Sequence, residues 1–138
     1  MPRMPTLAAV VAARARLRGI ALHTPLERSA ELAEAVGAAE VRLKREELQP
    51  TGAFKTRGAH NKVAIVAEDR PEAALVTASS GNHGIAVATA ATRHDMRLTV
   101  LVGRSVSPAK LERLRALETA RITVELTGDD SDAAEAEA

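Results

Sequence analysis

A lysine that follows a glycine turn stands beside the only aromatic side chain of the sequence. Gln49-Pro50-Thr51-Gly52 is typical of a turn, and a helix is predicted to begin near Phe54 or Lys55. The dipole of that helix disfavours a positive charge in its first turn. An amine must be uncharged part of the time to attack a carbonyl carbon, and Lys, unlike Arg, can lose its proton. Lys55 is therefore a candidate for covalent chemistry; the alternative is an exposed lysine at a helix start, with Phe54 as an ordinary core residue.

A second polar segment, Thr77-Ala78-Ser79-Ser80-Gly81-Asn82-His83-Gly84, follows a predicted strand and opens the next helix. Backbone N–H groups at a helix N-terminus, with hydroxyls and an amide beside them, form a site for an anion. In an open α/β sheet such a turn lies at the carboxyl end of a strand, where ligands bind. The segment lacks the Gly-Lys-Ser/Thr ending of a P-loop and the G-x-G-x-x-G pattern. A carboxylate or phosphate ligand fits it, and the alternative is a turn that only caps the helix.

Helices and strands alternate through most of the chain. Apolar residues recur at helical spacing in some segments and form short β-prone runs in others. The predicted helices cover residues 6–17, 29–36, 55–68, 86–92, 108–117 and 133–138, and the predicted strands cover 41–44, 73–77, 98–102 and 122–126. Strands that alternate with helices at this spacing indicate a parallel sheet with right-handed crossovers. The sequence therefore predicts an α/β fold.

The composition argues against several classes of protein. The formal net charge is +1, so no strong field attracts nucleic acid or a membrane surface. The sequence has no cysteine, which excludes disulfides and thiolate metal sites, and its four histidines show no metal-ligand spacing. No apolar run approaches the roughly 20 residues that span a bilayer. We therefore expect a cytoplasmic protein with no nucleic-acid or membrane partner.

The two polar segments together resemble the fold-type II family of pyridoxal-phosphate (PLP) enzymes, which includes threonine dehydratase, serine dehydratase and serine racemase. The resemblance implies an open parallel sheet flanked by helices. Residues 54–138 would form the smaller α/β domain, which carries the cofactor lysine and the substrate-carboxylate loop. Residues 1–53 would be incomplete N-terminal elements of the larger domain. The matching stretches follow the order of the family and are Thr24-Pro25-Leu26, residues 44–59, residues 79–84, Ser107-Pro108-Ala109-Lys110 and residues 128–135.

The resemblance also implies roles for individual residues. Lys55 matches the lysine that holds the PLP cofactor and later moves the α-proton of the substrate, and Phe54 would pack near the cofactor. Asn82 matches the residue that hydrogen-bonds the phenolic oxygen of the cofactor. Ser80 occupies the position where serine racemases place a second catalytic acid/base and where many threonine dehydratases have Ala. The substrate carboxylate would be received by Ser79, Ser80, Asn82 and His83.

These features lead us to expect an enzyme with a small amino acid as its substrate. The expected activity is that of a PLP-dependent ammonia-lyase, which converts threonine, serine or another hydroxy amino acid to a 2-oxo acid and ammonia. One alternative is an amino-acid racemase of the same family. Another is a non-catalytic remnant that binds carboxylate ligands or a partner subunit.

Some parts of the family's site do not occur in this sequence. The glycine-rich phosphate cradle and the Ser or Cys at the pyridine nitrogen lie well downstream in the family, and no glycine cluster follows Gly84. Ala53 stands where a Ser or Thr is common. We therefore expect the N-terminal part of a longer, homo-oligomeric protein that by itself holds the cofactor weakly and has little or no activity. Leu7, Val10 and Val11 of the first helix are then expected to lie exposed.

Overall fold

The computed structural model of the protein describes residues 4–138 and contains every helix and strand predicted above. The helices are α1 (Leu7–Arg16), α2 (Ala30–Val36), α3 (Lys55–Asp69), α4 (Asn82–Arg93), α5 (Pro108–Arg115) and α6 (Ser131–Ala136). The strands are β1 (Leu26–Arg28), β2 (Arg42–Lys44), β3 (Ala74–Ala78), β4 (Arg97–Val102) and β5 (Ile122–Leu126), and a 3-10 turn spans Glu46–Leu48. Strand β1 and the 3-10 turn were not predicted, and α4 begins four residues earlier than the predicted 86–92.

Strands β3, β4 and β5 form a parallel sheet in that order. Helices α4 and α5 connect successive strands, and their buried side chains join those of the sheet in one apolar core. Burying a Val, Leu, Ile or Met side chain contributes about 1.5–3 kcal/mol. The predicted open parallel sheet flanked by helices is thus confirmed. The large side chains buried most completely in this core are Met96, Val100, Val102, Leu114 and Ile122.

Helix α4 lies at the centre of this packing, against α3 and the sheet. Its buried face consists of small side chains, because it presents Ala86, Val87, Ala88, Ala90 and Ala91. Short side chains allow a helix backbone to approach its neighbours closely, and close packing tolerates little displacement. The first turn of α4 is therefore held in a fixed relation to α3.

Strands β1 and β2 form a separate antiparallel pair, in which Leu26 lies opposite Lys44. The sequence predicts residues 23–26 only as an extended segment. Strand β1 itself gives no local signal, because its three residues show no apolar alternation. Helix α2 connects the two strands in the sequence. At its start the Ser29 side chain accepts a hydrogen bond from the Leu32 N–H, and at its end Gly37 has a φ of 65°. A left-handed residue at this position is the usual end of a helix. The division into domains at residues 53 and 54 stays a prediction.

Helix α1 contributes no buried residue. Leu7, Val10 and Val11 are 80%, 54% and 59% exposed, which confirms the expected exposure of this apolar surface. Strand β3 is also only partly covered, although strands of a parallel sheet are usually buried on both faces; its Val76 is 51% exposed. Within residues 4–138, no helix is both long enough and apolar enough to cross a membrane.

Candidate active site

Lys55 is the first residue of helix α3, as predicted. Phe54 occupies the N-cap position, and its ring is 61% exposed. The interpretation of Phe54 as an ordinary core residue is therefore wrong. The Lys55 Nζ lies 5.2 Å from the centroid of the Phe54 ring, which is within the range of a cation–π contact. The ring thus sits beside the amine on the surface.

The Ser79–Gly84 turn connects the end of β3 to the first turn of α4. Ser79 donates its N–H to the Leu101 carbonyl at 3.0 Å, which ties the turn to the neighbouring strand. The Ser79 Oγ accepts a hydrogen bond from the Gly81 N–H at 3.3 Å. A Cβ atom at position 84 would lie 2.6 Å from the Ser79 carbonyl oxygen, so only glycine fits there without a shift of the backbone. The turn is therefore compact and closely packed.

Asn82 and His83 lie in the first turn of α4 rather than in the preceding loop. Gly81 is the N-cap, and no side chain of the described residues caps this helix start. The first N–H groups of a helix need an acceptor from outside the helix, and they favour a negative charge. The start of α4, with the Ser79 and Ser80 hydroxyls beside it, can therefore receive an anionic group.

The structure places Lys55 and His83 in the first turns of two helices that pack against each other. The pKa of His83 is lowered by burial and, to a smaller extent, by the positive charge of Lys55. Both effects favour the neutral imidazole, which can donate one hydrogen bond and accept another. The lysine and the Ser-Gly-Asn-His turn thus belong to one region of the molecule, although Lys55 and His83 are 28 positions apart in the sequence.

A groove of about 220 Å³ runs between α3, β3 and α4. Gly58, Thr77 and His83 line it together with apolar side chains of α3 and α4. His83 is the one predicted site residue that lines this groove; the others lie outside its lining. The predicted site is therefore grouped around the starts of two helices and is not enclosed in one cavity. The predicted residues outside the lining are Phe54, Lys55, Ser79, Ser80 and Asn82.

The chemistry of these groups fits two parts of a PLP complex. The Lys55 amine suits the aldehyde of the cofactor, and the start of α4 suits a substrate carboxylate. Gly103, which follows Gly84 in the chain, has a packing role, because a Cβ atom there would lie 2.4 Å from the Asp130 carbonyl. The glycines that follow Gly84 in the sequence are Gly103 and Gly128, which are 25 positions apart and therefore do not make a glycine-rich loop of the kind that cradles a phosphate. The described residues do not include three His, Asp or Glu side chains grouped as metal ligands.

The sequence analysis did not predict a polar network that reaches the first turn of α3, where Lys55 lies. It joins Glu46 and Arg57 in a two-point ion pair and includes Thr24 and Gln49, both of which are buried. The pKa of Glu46 is lowered to about 2, mainly by hydrogen bonds from Arg57 and Thr24. The opposite charges of Glu46 and Arg57, on either side of the Gln49–Gly52 turn, are the signal in the sequence from which this pair could have been predicted. Sequence alone did not reveal that they meet.

Comparison with known proteins identifies the family to which this fold belongs. Residues 17–138 match the profile described as "Pyridoxal-phosphate dependent enzyme". The chain therefore belongs to the pyridoxal-phosphate-dependent enzyme family. This match confirms the family predicted from the sequence and the cofactor that the family implies.

Individual relatives agree with this assignment. The chain is 38% identical over 114 residues to the L-threonine ammonia-lyase of Thermotoga maritima, a match that covers 83% of this chain and 28% of that protein. It is similar in structure to a pyridoxal 5'-phosphate-dependent aspartate racemase, with a TM-score of 0.85, 30% identity, and coverage of 99% of this chain and 42% of the racemase. Maize serine racemase gives a TM-score of 0.81 at 26% identity, covering 98% of this chain and 40% of that one. The chain thus spans less than half the length of these relatives.

Proposed function

We propose that this chain carries the cofactor lysine and the substrate-carboxylate turn of a PLP-dependent ammonia-lyase that acts on a hydroxy amino acid. The proposal depends on one observation, which is that α3 and α4 pack against each other with Lys55 and His83 in their first turns, where the lysine charge acts on the imidazole. The similarity to an L-threonine ammonia-lyase supports the class of reaction. Homo-oligomeric assembly and a cytoplasmic location stay predictions.

In the proposed mechanism each group of the chain has a separate task. When bound, PLP acts as an electron sink that stabilises negative charge at the α-carbon of an amino acid. Lys55 provides the amine that holds the cofactor, and its Nζ then accepts the α-proton as a general base. The Ser79 and Ser80 hydroxyls and the first N–H groups of α4 hold the substrate carboxylate, which orients the bond to be broken. The neutral His83 imidazole supplies a further hydrogen bond at the same place.

Amino-acid racemisation is a second candidate, and Ser80 is the residue that favours it. Ser79 alone provides the side-chain hydrogen bond to the Gly81 N–H within the turn. The Ser80 hydroxyl is therefore available to move a proton. A lysine on one face of a planar carbon and a serine on the other would allow a proton to be removed from one side and returned to the other. The aspartate racemase and serine racemase similarities agree with this alternative.

The role of Lys55 is tested by mapping where PLP attaches to the chain. The sequence contains four lysines, Lys44, Lys55, Lys62 and Lys110. Brief exposure to PLP followed by borohydride makes each adduct permanent, and peptide mass spectrometry then gives a rate for each lysine. We expect Lys55 to react fastest, and Lys55→Gln to remove this reaction while the other three lysines keep their rates. Lys55 reacting no faster than the exposed Lys62 would contradict the proposal.

The rate is the appropriate measurement because equilibrium binding is expected to be weak. The proposed site consists of the Lys55 amine and the 79–84 turn, and no glycine-rich loop for the cofactor phosphate follows Gly84 in this sequence. A strong, stable visible absorption band of bound cofactor is therefore not expected from this chain alone.

The reaction itself is tested in a chimaera, in which this chain replaces the matching segment of the Thermotoga maritima L-threonine ammonia-lyase. Release of a 2-oxo acid from L-threonine or L-serine that continues at a reduced rate in the Ser80→Ala variant supports the lyase, because Ser79 and the first N–H groups of α4 still hold the substrate carboxylate. Formation of the D-enantiomer that is lost in the same variant supports the racemase. A chimaera that folds and attaches PLP at Lys55 but performs neither reaction would leave the non-catalytic alternative.

A further inference from the structure

The start of helix α3 lacks the usual stabilising features of a helix N-terminus. Phe54 at the N-cap has helical backbone angles, makes no side-chain cap hydrogen bond, and is followed by no acidic residue in the first turn. Helices without a cap tend to fray at this end, and loss of a cap costs about 0.5–2 kcal/mol. Lys55 nevertheless occupies the first helical position, where fraying would displace it most. Another interaction must therefore hold this turn.

Arg57, two residues after Lys55, makes a two-point ion pair with Glu46. Its Nε donates to Glu46 Oε2 and its Nη2 to Glu46 Oε1, both at 2.8 Å, and Nη2 also donates to the Leu22 carbonyl at 2.9 Å. Parallel charge-assisted hydrogen bonds of this kind are among the strongest in proteins and fix the guanidinium plane. The Glu46 side chain is only 18% exposed, so solvent screens the pair less than a surface ion pair. The ion pair therefore restrains the first turn of α3.

The Glu46 carboxylate is itself held in place by buried neighbours. Thr24, which is 2% exposed, donates its hydroxyl to Glu46 Oε1 at 2.6 Å. The Gln49 amide accepts from the Leu22 N–H and donates to the Leu22 carbonyl, both at 2.9 Å. Gln49 also donates to Glu46 Oε2 at 3.3 Å. Residues 22–24 and 46–49 thus form one rigid support for the guanidinium of Arg57.

A second contact anchors the residue between Lys55 and Arg57. The hydroxyls of Thr51 and Thr56 share a hydrogen bond of 2.6 Å, and Thr56 also donates to the Ala53 carbonyl at 3.1 Å. Both threonines are buried, Thr56 completely. The residues that follow Lys55 are therefore fixed on two sides, while the exposed Lys55 side chain remains free to react.

We propose that Glu46 and Arg57 are positioning residues for Lys55, which hold the first turn of α3 so that the amine is presented towards the 79–83 turn. This inference rests on the proposed function of Lys55. It adds a role for the segment before α3, since residues 22–24 and 46–49 supply the support. Neither Glu46 nor Arg57 is required to touch the cofactor or the substrate.

The test compares two carboxylates of the same 3-10 turn, Glu46 and Glu47. Glu46→Gln removes the charge that holds Arg57, whereas Glu47→Gln removes an exposed carboxylate that pairs with Arg45. The measurement is the site-resolved rate of adduct formation with PLP and borohydride, with Lys62 of the same helix as internal reference. We expect Glu46→Gln to slow the reaction at Lys55 by about five- to thirtyfold, the effect of one or two lost hydrogen bonds. The rate at Lys62, and both rates in Glu47→Gln, should stay unchanged.

Thr24→Val keeps the test decisive if Glu46→Gln folds poorly, and a double variant tests whether Glu46 and Arg57 act as one pair. Thr24→Val keeps the shape of the side chain and removes only its hydrogen bond to Glu46, so we expect a smaller slowing at Lys55 alone. The double variant Glu46→Gln with Arg57→Gln should be no slower than the worse single variant, because both changes break the same pair. Additive effects would contradict a shared role.

The possible outcomes separate the two proposals. Equal slowing at Lys55 and Lys62 in Glu46→Gln would show a general loss of helix α3 and overturn the positioning role, as would an unchanged rate at Lys55. If Lys55 shows no preference in the unaltered chain, the proposed function fails, and amide hydrogen exchange then decides the positioning role. Faster exchange at residues 55–58 in Glu46→Gln than in Glu47→Gln would support it, and equal exchange would refute it.

Discussion

Lys55 and His83 come from different helices, and the charge of the lysine lowers the pKa of the imidazole. This interaction is the part of the candidate site that can be measured without any ligand. Histidine titration is suited to the purpose, because small changes in a neighbouring charge move its pKa within an accessible range.

Replacing Lys55 with Gln should raise the pKa of His83. The positive charge that disfavours the imidazolium is removed, while the larger effect of burial remains, so the pKa stays below its usual range. NMR titration of the imidazole resonances measures this change. Lys62→Gln is the matched control, since Lys62 lies on the same helix and its charge does not contribute to the pKa of His83. A His83 titration that is the same in both variants would count against the grouping of Lys55 with the turn.

His60 makes the stability of the protein depend on pH. Its side chain is 4% exposed, and its Nδ1 has no hydrogen-bond partner among the described residues. Burial, followed by the charges of Arg93 and His94, lowers the pKa of His60. The unfolded chain therefore binds a proton more readily than the folded chain, and stability rises with pH in this interval. The contribution is complete above the unfolded pKa of about 6.5 and is lost as pH falls through the folded pKa.

Urea unfolding at several pH values tests this expectation. The free energy of unfolding should fall between about pH 7.5 and about pH 5. His60→Gln cannot take up a proton and should reduce this dependence; some should remain, because the pKa of His83 is lowered as well. Replacement of the exposed His23 by Gln should keep the full dependence. A pH dependence that His60→Gln leaves unaltered would assign the effect to other groups.

The packing of α4 against the turn that precedes it explains why a glycine stands at position 84. A Cβ atom there would lie 2.6 Å from the Ser79 carbonyl oxygen and 3.3 Å from a methyl group of Leu114 in α5. The first contact is with backbone, which cannot move without shifting the turn. Gly58 of α3 is different, because no atom lies within 4 Å of the corresponding Cβ position. The two helical glycines therefore form a matched pair.

Alanine at these two positions should have opposite effects. Gly84→Ala should destabilise the protein by about 1–3 kcal/mol, as expected when a packed interior receives an extra carbon. Gly58→Ala should stabilise it by about 0.5–1 kcal/mol, because alanine loses less backbone entropy in a helix. Free energies of unfolding from urea titrations provide the comparison. Equal effects of both substitutions would contradict the close approach of α4 to Ser79.

The molecule as a whole has a well-packed sheet layer and a loosely attached N-terminal helix. Helix α1 reaches α3 through polar contacts, in which Arg16 hydrogen-bonds Asn61 at 3.4 Å and forms an ion pair with Glu68 at 3.5 Å. Its apolar side chains remain exposed. Exposed apolar patches of this kind promote self-association.

Polar substitutions in α1 should therefore affect association and not stability. Leu7→Gln together with Val11→Gln should lower concentration-dependent light scattering and change the free energy of unfolding by no more than about 0.5 kcal/mol per site. Leu114→Ala is the contrasting variant, since that side chain is 0% exposed and its truncation should cost about 2–5 kcal/mol. A large loss of stability from the α1 substitutions would mean that the helix packs against the core after all.

Local sequence signals were enough to predict the helices, four of the five strands and the fold class. The signals act within a few residues: alternation of apolar side chains, the turn at 49–52, and the capping Ser29 and Gly37 at the ends of α2. Position along the chain also indicated that Lys55 and the 79–84 turn open successive helices. Strand β1 was missed because Leu26-Glu27-Arg28 shows no apolar alternation, whereas residues 41–44, which include the equally short β2, alternate apolar and basic side chains.

Contacts between residues far apart in the sequence determine the features that the local signals did not predict. The Thr24–Glu46 and Arg57–Leu22 hydrogen bonds join residues 22 and 35 positions apart, and no local pattern specifies which charged side chains will meet. The same is true of the closeness of Lys55 to His83, which follows from the packing of α3 along the alanine-rich face of α4. Residue identity could mark Lys55 as a candidate reactive amine and the 79–84 turn as a candidate anion site. Their relative position, and the Glu46–Arg57 ion pair next to the lysine, could be seen only in the folded structure. Packing brings together side chains that are far apart in the sequence.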